Sequence, residues 1–144
     1  MLIEAILRSK GSEVETVRPD AAVTMAAQRM AALRIGCLVV ADSSAPVLGL
    51  LTERDLVRAF AHHGTHAATL SVRDIMSTGV PTCRPDDDLA SIMRTMTTRR
   101  YRHVPVVSEG KLIGIVSIGD VVKQRLEDLE LETTVLRDAY RATR

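Results

Sequence analysis

Two hydroxyl–carboxylate pairs carry most of the chemical information in this chain. Thr52 is followed three residues later by Asp55, and Ser117 by Asp120. Each pair follows a short apolar run that opens with glycine, Gly49-Leu50-Leu51 and Gly114-Ile115-Val116, and each introduces a segment with helical periodicity. A Thr or Ser at a helix start caps the first turn and still offers its hydroxyl to a phosphate, beside backbone N–H groups that face outward. A carboxylate three residues on lies about 5 Å further along the axis. There it can accept both hydroxyls of a ribose, as acidic residues do in other nucleotide folds. The preceding glycine lets a ligand or a neighbouring strand approach closely. The pattern describes recognition of a nucleoside or nucleotide; the plainer alternative is a capped helix with an acidic first turn and no ligand.

The pairs recur because the chain is written twice. Pro19-Asp20-Ala21-Ala22-Val23 opens one segment and Pro85-Asp86-Asp87-Asp88-Leu89 the other, and Met30/Met96, Arg34/Arg100 and Val40/Val106 keep the same interval. By Gly49/Gly114 one residue has been lost, between the turns Ser43–Pro46 and Glu109-Gly110, where folded units tolerate a change in length. Each copy reads strand, helix, strand, turn, strand, helix. In the first, Glu15-Thr16-Val17 is a short strand ended by Pro19. Val23, Ala26, Ala27, Met30 and Leu33 then form an apolar helical stripe that Gly36 stops. Cys37–Ala41 and Val47–Leu51 are strands, and Glu53 to about His62 is a helix with Leu56, Val57 and Phe60 on one side. In the second copy Leu89, Ile92, Met93 and Met96 make the stripe, and Val104–Val107 and Lys111–Val116 the strands. Pro105 lacks an N–H, which places its strand at an edge or a local break. Gly64–Leu70 reads as a connector, and Val72–Met76 as one helical turn.

With 144 residues and 46% apolar content the chain can build one real core. Units of about 60 residues are marginal alone, so the copies read as halves of one domain. The division expected is residues 1–63 for the first repeat with an N-terminal extension, 64–71 for a connector, 72–126 for the second repeat and 127–144 for an extension of the last helix. A net charge of +1 argues against a nucleic-acid surface. The basic cluster at Arg99, Arg100 and Arg102 offers only Tyr101 as a stacking platform. Cys37 and Cys83 sit in apolar strands with no CxxC partner and read as buried thiols of a reduced intracellular protein. No apolar run reaches membrane-spanning length and the N-terminus does not read as a signal peptide, which points to the cytoplasm and away from a membrane. His62 and His66 would share a helix face, but Gly64 intervenes and no acidic or thiol partner is near, so a solvated helix end is expected and no metal.

The last helix outruns its counterpart. Val122, Leu126, Leu129, Thr133, Leu136 and Tyr140 alternate in steps of four and three, a seam for another helix. Capping of the chain's own core is one use for it. Packing against a second copy is the reading that accounts for the extension.

At Gly49-Leu-Leu-Thr-Glu-Arg-Asp55 and Gly114-Ile-Val-Ser-Ile-Gly-Asp120 the chain resembles a tandem of cystathionine β-synthase (CBS) domains, the arrangement called a Bateman module. Both copies match the family pattern Gly-hydrophobic-x-Thr/Ser-x-x-Asp, and Val104–Val107, Thr16–Asp20 and Thr82–Asp86 are also family-like. The likeness covers about residues 11 to 126. It implies an α/β fold of two β-α-β-β-α repeats about a pseudo-two-fold axis, here with an extended C-terminal helix. It also implies adenine-nucleotide clefts between the repeats and frequent homodimerisation. In the family geometry the Asp of one copy serves a cleft whose base and phosphate contacts come from the other. One cleft would then combine Thr52 and Asp55 with Thr82 and Arg100-Tyr101-Arg102-His103. The second would combine Ser117 and Asp120 with Thr16 and Arg34-Ile35-Gly36-Cys37. The first has three basic or titratable side chains for phosphates and a ring to lie against adenine. The second has Ile35, Gly36 and Cys37 in their place, a departure that weakens it for phosphate.

The leading reading is a regulatory module that senses AMP, ADP, ATP or a related adenosine compound, NAD and S-adenosylmethionine included, and transmits occupancy to an effector protein. No cofactor is required, and no nucleophile elbow, Walker loop or HExxH motif suggests an enzyme. The competing reading is a homodimerisation scaffold that needs no ligand.

Overall fold

The computed structural model describes residues 1–143. In chain order its elements are α1 (Ile3–Lys10), β1 (Thr16–Val17), α2 (Val23–Leu33), β2 (Cys37–Val40), β3 (Gly49–Thr52), α3 (Glu53–His63), α4 (Val72–Ile75), α5 (Leu89–Arg99), β4 (His103–Ser108), β5 (Lys111–Ser117) and α6 (Ile118–Ala142). The segment read as a connector is a 3-10 helix, Gly64–Thr69, tied down by the fully buried Ala67.

β1 runs parallel to β2, and β2 antiparallel to β3. Because β2 is the middle strand, all four of its residues are buried, which explains its unbroken apolar sequence. In the second half β4 and β5 form a hairpin whose turn residues Glu109 and Gly110 both have positive φ, 51° and 73°, as a tight hairpin turn requires. The opening strand of this half shrinks to one parallel bridge, Cys83 with Val106. Pro105 does sit at a break: its carbonyl accepts from the Cys83 N–H, and the ladder to β5 shifts register between Val106 and Val107.

One helix ends differently from the sequence reading, and its counterpart ends the same way. Gly36 does not stop α2; the helix ends at Leu33 and Arg34 takes the left-handed conformation, φ 55°. Arg100 does the same after α5, φ 58°. This is unusual for a residue with a side chain. It bends both loops, residues 34–36 and 100–102, at matching points of the two halves. The α2 stripe is also shorter than read: Val23, Ala26 and Met30 are buried, while Leu33 is exposed.

The short helices are exchanged between the halves. α4 packs on the first half: Val72 N–H donates to Ala21 O, Arg73 N–H to Pro19 O, and Val23 N–H to Leu70 O. α1 packs on the second half with the same three bonds: Ile3 N–H to Asp87 O, Glu4 N–H to Pro85 O, and Leu89 N–H to Met1 O. The hydrophobic clusters follow. One joins Ile3, Ile6 and Leu7 to Leu89, Ile92, Met96, Val104, Val106 and Val116. Another joins Val72 to Val17, Ala26, Met30, Leu38, Val40 and Leu51. The layer common to both halves is smaller: Cys37, Val39 and Leu50 against the half-buried Val80, Leu112 and Ile115. Past Val121, α6 still runs beside α5 as far as Asp128, which with Arg125 lines a cavity against Leu89 and Met93, while Val122, Leu126, Leu129, Val135, Leu136 and Tyr140 are exposed.

Candidate functional site

Both hydroxyl–carboxylate pairs are reciprocal helix caps. Thr52 Oγ1 accepts from the Asp55 N–H (3.3 Å) while Asp55 Oδ2 accepts from the Thr52 N–H (2.9 Å). Ser117 Oγ accepts from the Asp120 N–H (3.2 Å) and Asp120 Oδ2 from the Ser117 N–H (2.8 Å). A capping box fixes the first turn of a helix and aims its carboxylate back at the preceding strand. Here the two boxes begin α3 and α6.

Asp55 is the one buried charged side chain among the described residues, with 4% exposure. Its Oδ2 accepts a second bond from Thr52 Oγ1 (3.1 Å), its Oδ1 accepts from Ser77 Oγ (2.7 Å), and Arg58 Nη1 stands 4.0 Å from Oδ1. A carboxylate has about four acceptor positions. Three are filled, so one hydroxyl can join, and a second requires Ser77 to yield. Ser77 is held by paired backbone bonds to Leu50, and its carbonyl lies 2.3 Å from where a Cβ on Gly49 would stand. That approach is why the strand needs glycine there.

Thr52 and Asp55 open onto a cleft of about 580 Å³ that crosses from one half to the other and reaches Arg100, Tyr101, Arg102, His103 and Ser117. Five arginines, Arg54, Arg58, Arg99, Arg100 and Arg102, line it against two acids, Glu53 and Asp55. Arg54, Arg100 and Arg102 have no carboxylate partner among the described residues, so the cleft is furnished for an anion. The Arg99 guanidinium lies 5.5 Å over one face of the Tyr101 ring and donates to Gly79 O. A flat heterocycle would have to use the other face. Burial pushes the His103 imidazole below the usual histidine range, and the charges of Lys10 and Arg102 add to the effect against Asp120 and Glu53. Thr82, expected here, is exposed and is not in the lining. Ser77, Arg54 and Arg58 were not read as site residues from the sequence, and Arg99 was read only as part of a basic cluster. Ser77 belongs to the second repeat and reaches this cleft because α4, which precedes it, packs on the first half.

The other cleft is smaller, about 310 Å³, and its lining includes Ile35, Gly36, Cys37, His103 and Ser117. Thr16 is exposed outside it, with its carbonyl engaged by Arg29. Asp120 is turned toward Lys10, whose ammonium donates to Asp120 Oδ2 (2.6 Å) and to Ile115 O (2.8 Å). Burial pushes the Asp120 carboxyl up, but the Lys10 ammonium and the bonds from Ser117 outweigh it and the net shift is downward. Glu13 and Glu15 are also in its wall, Glu15 paired with Arg29, and Lys10 is committed to Asp120, so this cleft offers a phosphate much less positive charge than the large one does.

The CBS-domain family model matches this chain twice, over residues 5–62 and 72–127. The chain is a tandem CBS-domain protein. A CBS-domain-containing protein of Agrobacterium tumefaciens has 43% sequence identity to it and a TM-score of 0.83, over 87% of this chain and 99% of that one. The mitochondrial CBS-domain-containing protein CBSX3 of Arabidopsis thaliana is 30% identical over 96% of this chain and 73% of its own. The CBS pair of protein MJ0100, solved with 5-methylthioadenosine and S-adenosyl-L-methionine, shares the fold, with a TM-score of 0.78 at 22% identity over 89% of this chain and 98% of that one. Family membership accounts for the pseudo-symmetry of the two clefts. Its two thiols are poor nucleophiles: burial pushes both Cys37 and Cys83 up to about 12, with Asp55 and Asp87 adding to the effect. Among the described residues no group of three or more His, Cys, Asp or Glu is placed to hold a metal, and no helix is long and apolar enough to cross a membrane.

Proposed function

We propose that this CBS pair is a cytoplasmic regulatory module that binds an adenosine nucleotide, AMP in the first instance, in the larger cleft and signals occupancy to an effector protein. One observation carries the reading: the cleft sets the buried, capped carboxylate of Asp55 against five arginines contributed by both halves. A ribose hydroxyl takes the remaining acceptor position of Asp55, Arg100, Arg102 and His103 meet the phosphate, and the free face of Tyr101 meets adenine. The volume falls within the range of small-molecule sites, about 300–1,000 Å³. The adenosine compounds bound by MJ0100 support the ligand class. ADP, ATP, NAD and S-adenosylmethionine present the same adenosine. Binding without turnover is the role proposed. Because the ligand would bridge the halves, its presence would stiffen their junction, and α3 and α6, which begin in the cleft, would carry the change to a partner.

Calorimetric titration with AMP tests the reading. A hydrogen bond to a charged acceptor contributes about 1.5–3 kcal/mol, so Asp55→Ala should weaken AMP about ten- to a hundred-fold. Unchanged affinity in folded Asp55→Ala protein sinks the ribose role. A second reading, a dimerisation scaffold, draws on the exposed Val57 and Phe60 of α3 and Val122 and Leu126 of α6. It prevails if no adenosine compound shifts the melting temperature.

A further inference from the structure

The exchange of α1 and α4 makes the two clefts directly comparable, and the comparison isolates Lys10. On the first half, α4 ends at Ile75 and the chain returns to β3, where Ser77 N–H donates to Leu50 O (2.9 Å) and Ser77 Oγ donates to Asp55 (2.7 Å). On the second half α1 continues to Lys10, so no backbone returns to β5 at the matching place. The Lys10 ammonium fills both roles: it donates to Ile115 O, the counterpart of Leu50 O, and to Asp120, the counterpart of Asp55. In the large cleft the direct partner of the carboxylate is thus a neutral hydroxyl, with the Arg58 guanidinium standing off at 4.0 Å, whereas at the small cleft the Lys10 ammonium sits on Asp120 at 2.6 Å and itself forms part of the lining in place of the carboxylate. Ion pairing to a half-buried carboxylate competes with ribose far more strongly than a serine hydroxyl does. Lys10 and Asp120 keep 30% and 22% side-chain exposure, so the pair is screened only in part.

We infer that Lys10 is a specificity-determining residue: from the N-terminal helix it occupies the ribose seat of the small cleft and confines adenosine-compound binding to the large one. The inference rests on the reading of the large cleft given above, but its test separates the two. Lys10→Ser copies the hydroxyl that faces Asp55, and Lys10→Met removes the cation with little change in length. Both should fold, because α1 is anchored by Ile3, Ile6 and Leu7, and Asp120 keeps its Ser117 bonds. Equilibrium dialysis with adenosine, which carries no phosphate, counts sites. The expected result is one site in the wild type, two in both variants, and one again when Asp120→Asn is added to Lys10→Ser. The gained site should bind at least tenfold tighter than any residual wild-type binding there. Two sites in the wild type, or one site in all proteins, overturns the role of Lys10 and leaves the large-cleft reading standing. No site in the wild type with one in the variants overturns the large-cleft reading and upholds Lys10. No binding in any protein overturns both.

Discussion

Gly49→Ala tests how the fold delivers Ser77 to Asp55. An alanine Cβ would stand 2.3 Å from the Ser77 carbonyl oxygen and 3.4 Å from the Met76 sulfur, and real Cβ contacts do not fall below 3.0 Å. The nearest obstacle is backbone, so β3 and the segment after α4 must part by more than half an ångström. That stretches the Leu50–Ser77 pair, N···O 3.0 and 2.9 Å, to the limit of hydrogen bonding. Two such bonds at about 0.5–1.5 kcal/mol each, with about 1–3 kcal/mol for overpacking, put the loss at about 2–6 kcal/mol. For a chain of this length that lowers the melting temperature by on the order of 10 °C. Gly114→Ala is the matched control, because its Cβ meets only the Leu7 side chain, 2.6 Å from Cδ2, which can swing aside. It should lose less than about 1.5 kcal/mol, and Leu7→Ala in the same chain should remove most of the clash penalty. Urea unfolding of the four proteins gives the comparison. Equal losses for Gly49→Ala and Gly114→Ala, or a Gly49→Ala protein within about 0.5 kcal/mol of wild type, refute the reasoning.

His103 should make stability fall in mild acid. Its imidazole titrates below its ordinary 6.5 in the folded chain, so the unfolded chain binds the extra proton first. The contribution is fully present above pH 6.5 and is lost as the pH drops below it. His103→Gln should therefore flatten the stability profile below pH 6.5, and an unchanged slope would contradict the assignment. The exposed stripe on α6 should close a homodimer. Burying one leucine is worth about 1.5–3 kcal/mol, so Leu129→Glu with Leu136→Glu should raise the dimer dissociation constant at least tenfold in sedimentation velocity. A wild-type monomer at micromolar concentration rules the dimer out.

The repeat, the strand pairs, the capping boxes and the arginine-rich loop were legible because each is written in local spacing. The crossing of Asp55 toward Arg100–His103 came from the family resemblance. What escaped the sequence depends on contacts between distant segments. Neither Lys10 nor Ser77 lies in a repeated motif, and each reaches a carboxylate only through the exchange of α1 and α4. The left-handed Arg34 and Arg100 were missed because glycine is the residue that advertises that conformation, and Gly36 stood close by as a decoy. Leu33 and Phe60 fit apolar stripes yet stay exposed, since periodicity gives a face but not its length or its covering.

The exchanged helices also decide what either half could do by itself. Cut within Gly64–Thr69, the first fragment would carry α1, which fits only the second half's core, and would lack α4. Its core would then lose Val72, Ile75 and Met76 from the cluster around Leu38, Val40 and Leu51. A single repeat with its leading helix has one closed solution, in which two copies trade helices about a true two-fold axis. This chain has the arrangement of such a swapped dimer within one polypeptide, with each half completed by a helix from the other. With both copies in one chain the two traded segments need not match, and they do not: one brings a serine to its carboxylate and the other a lysine.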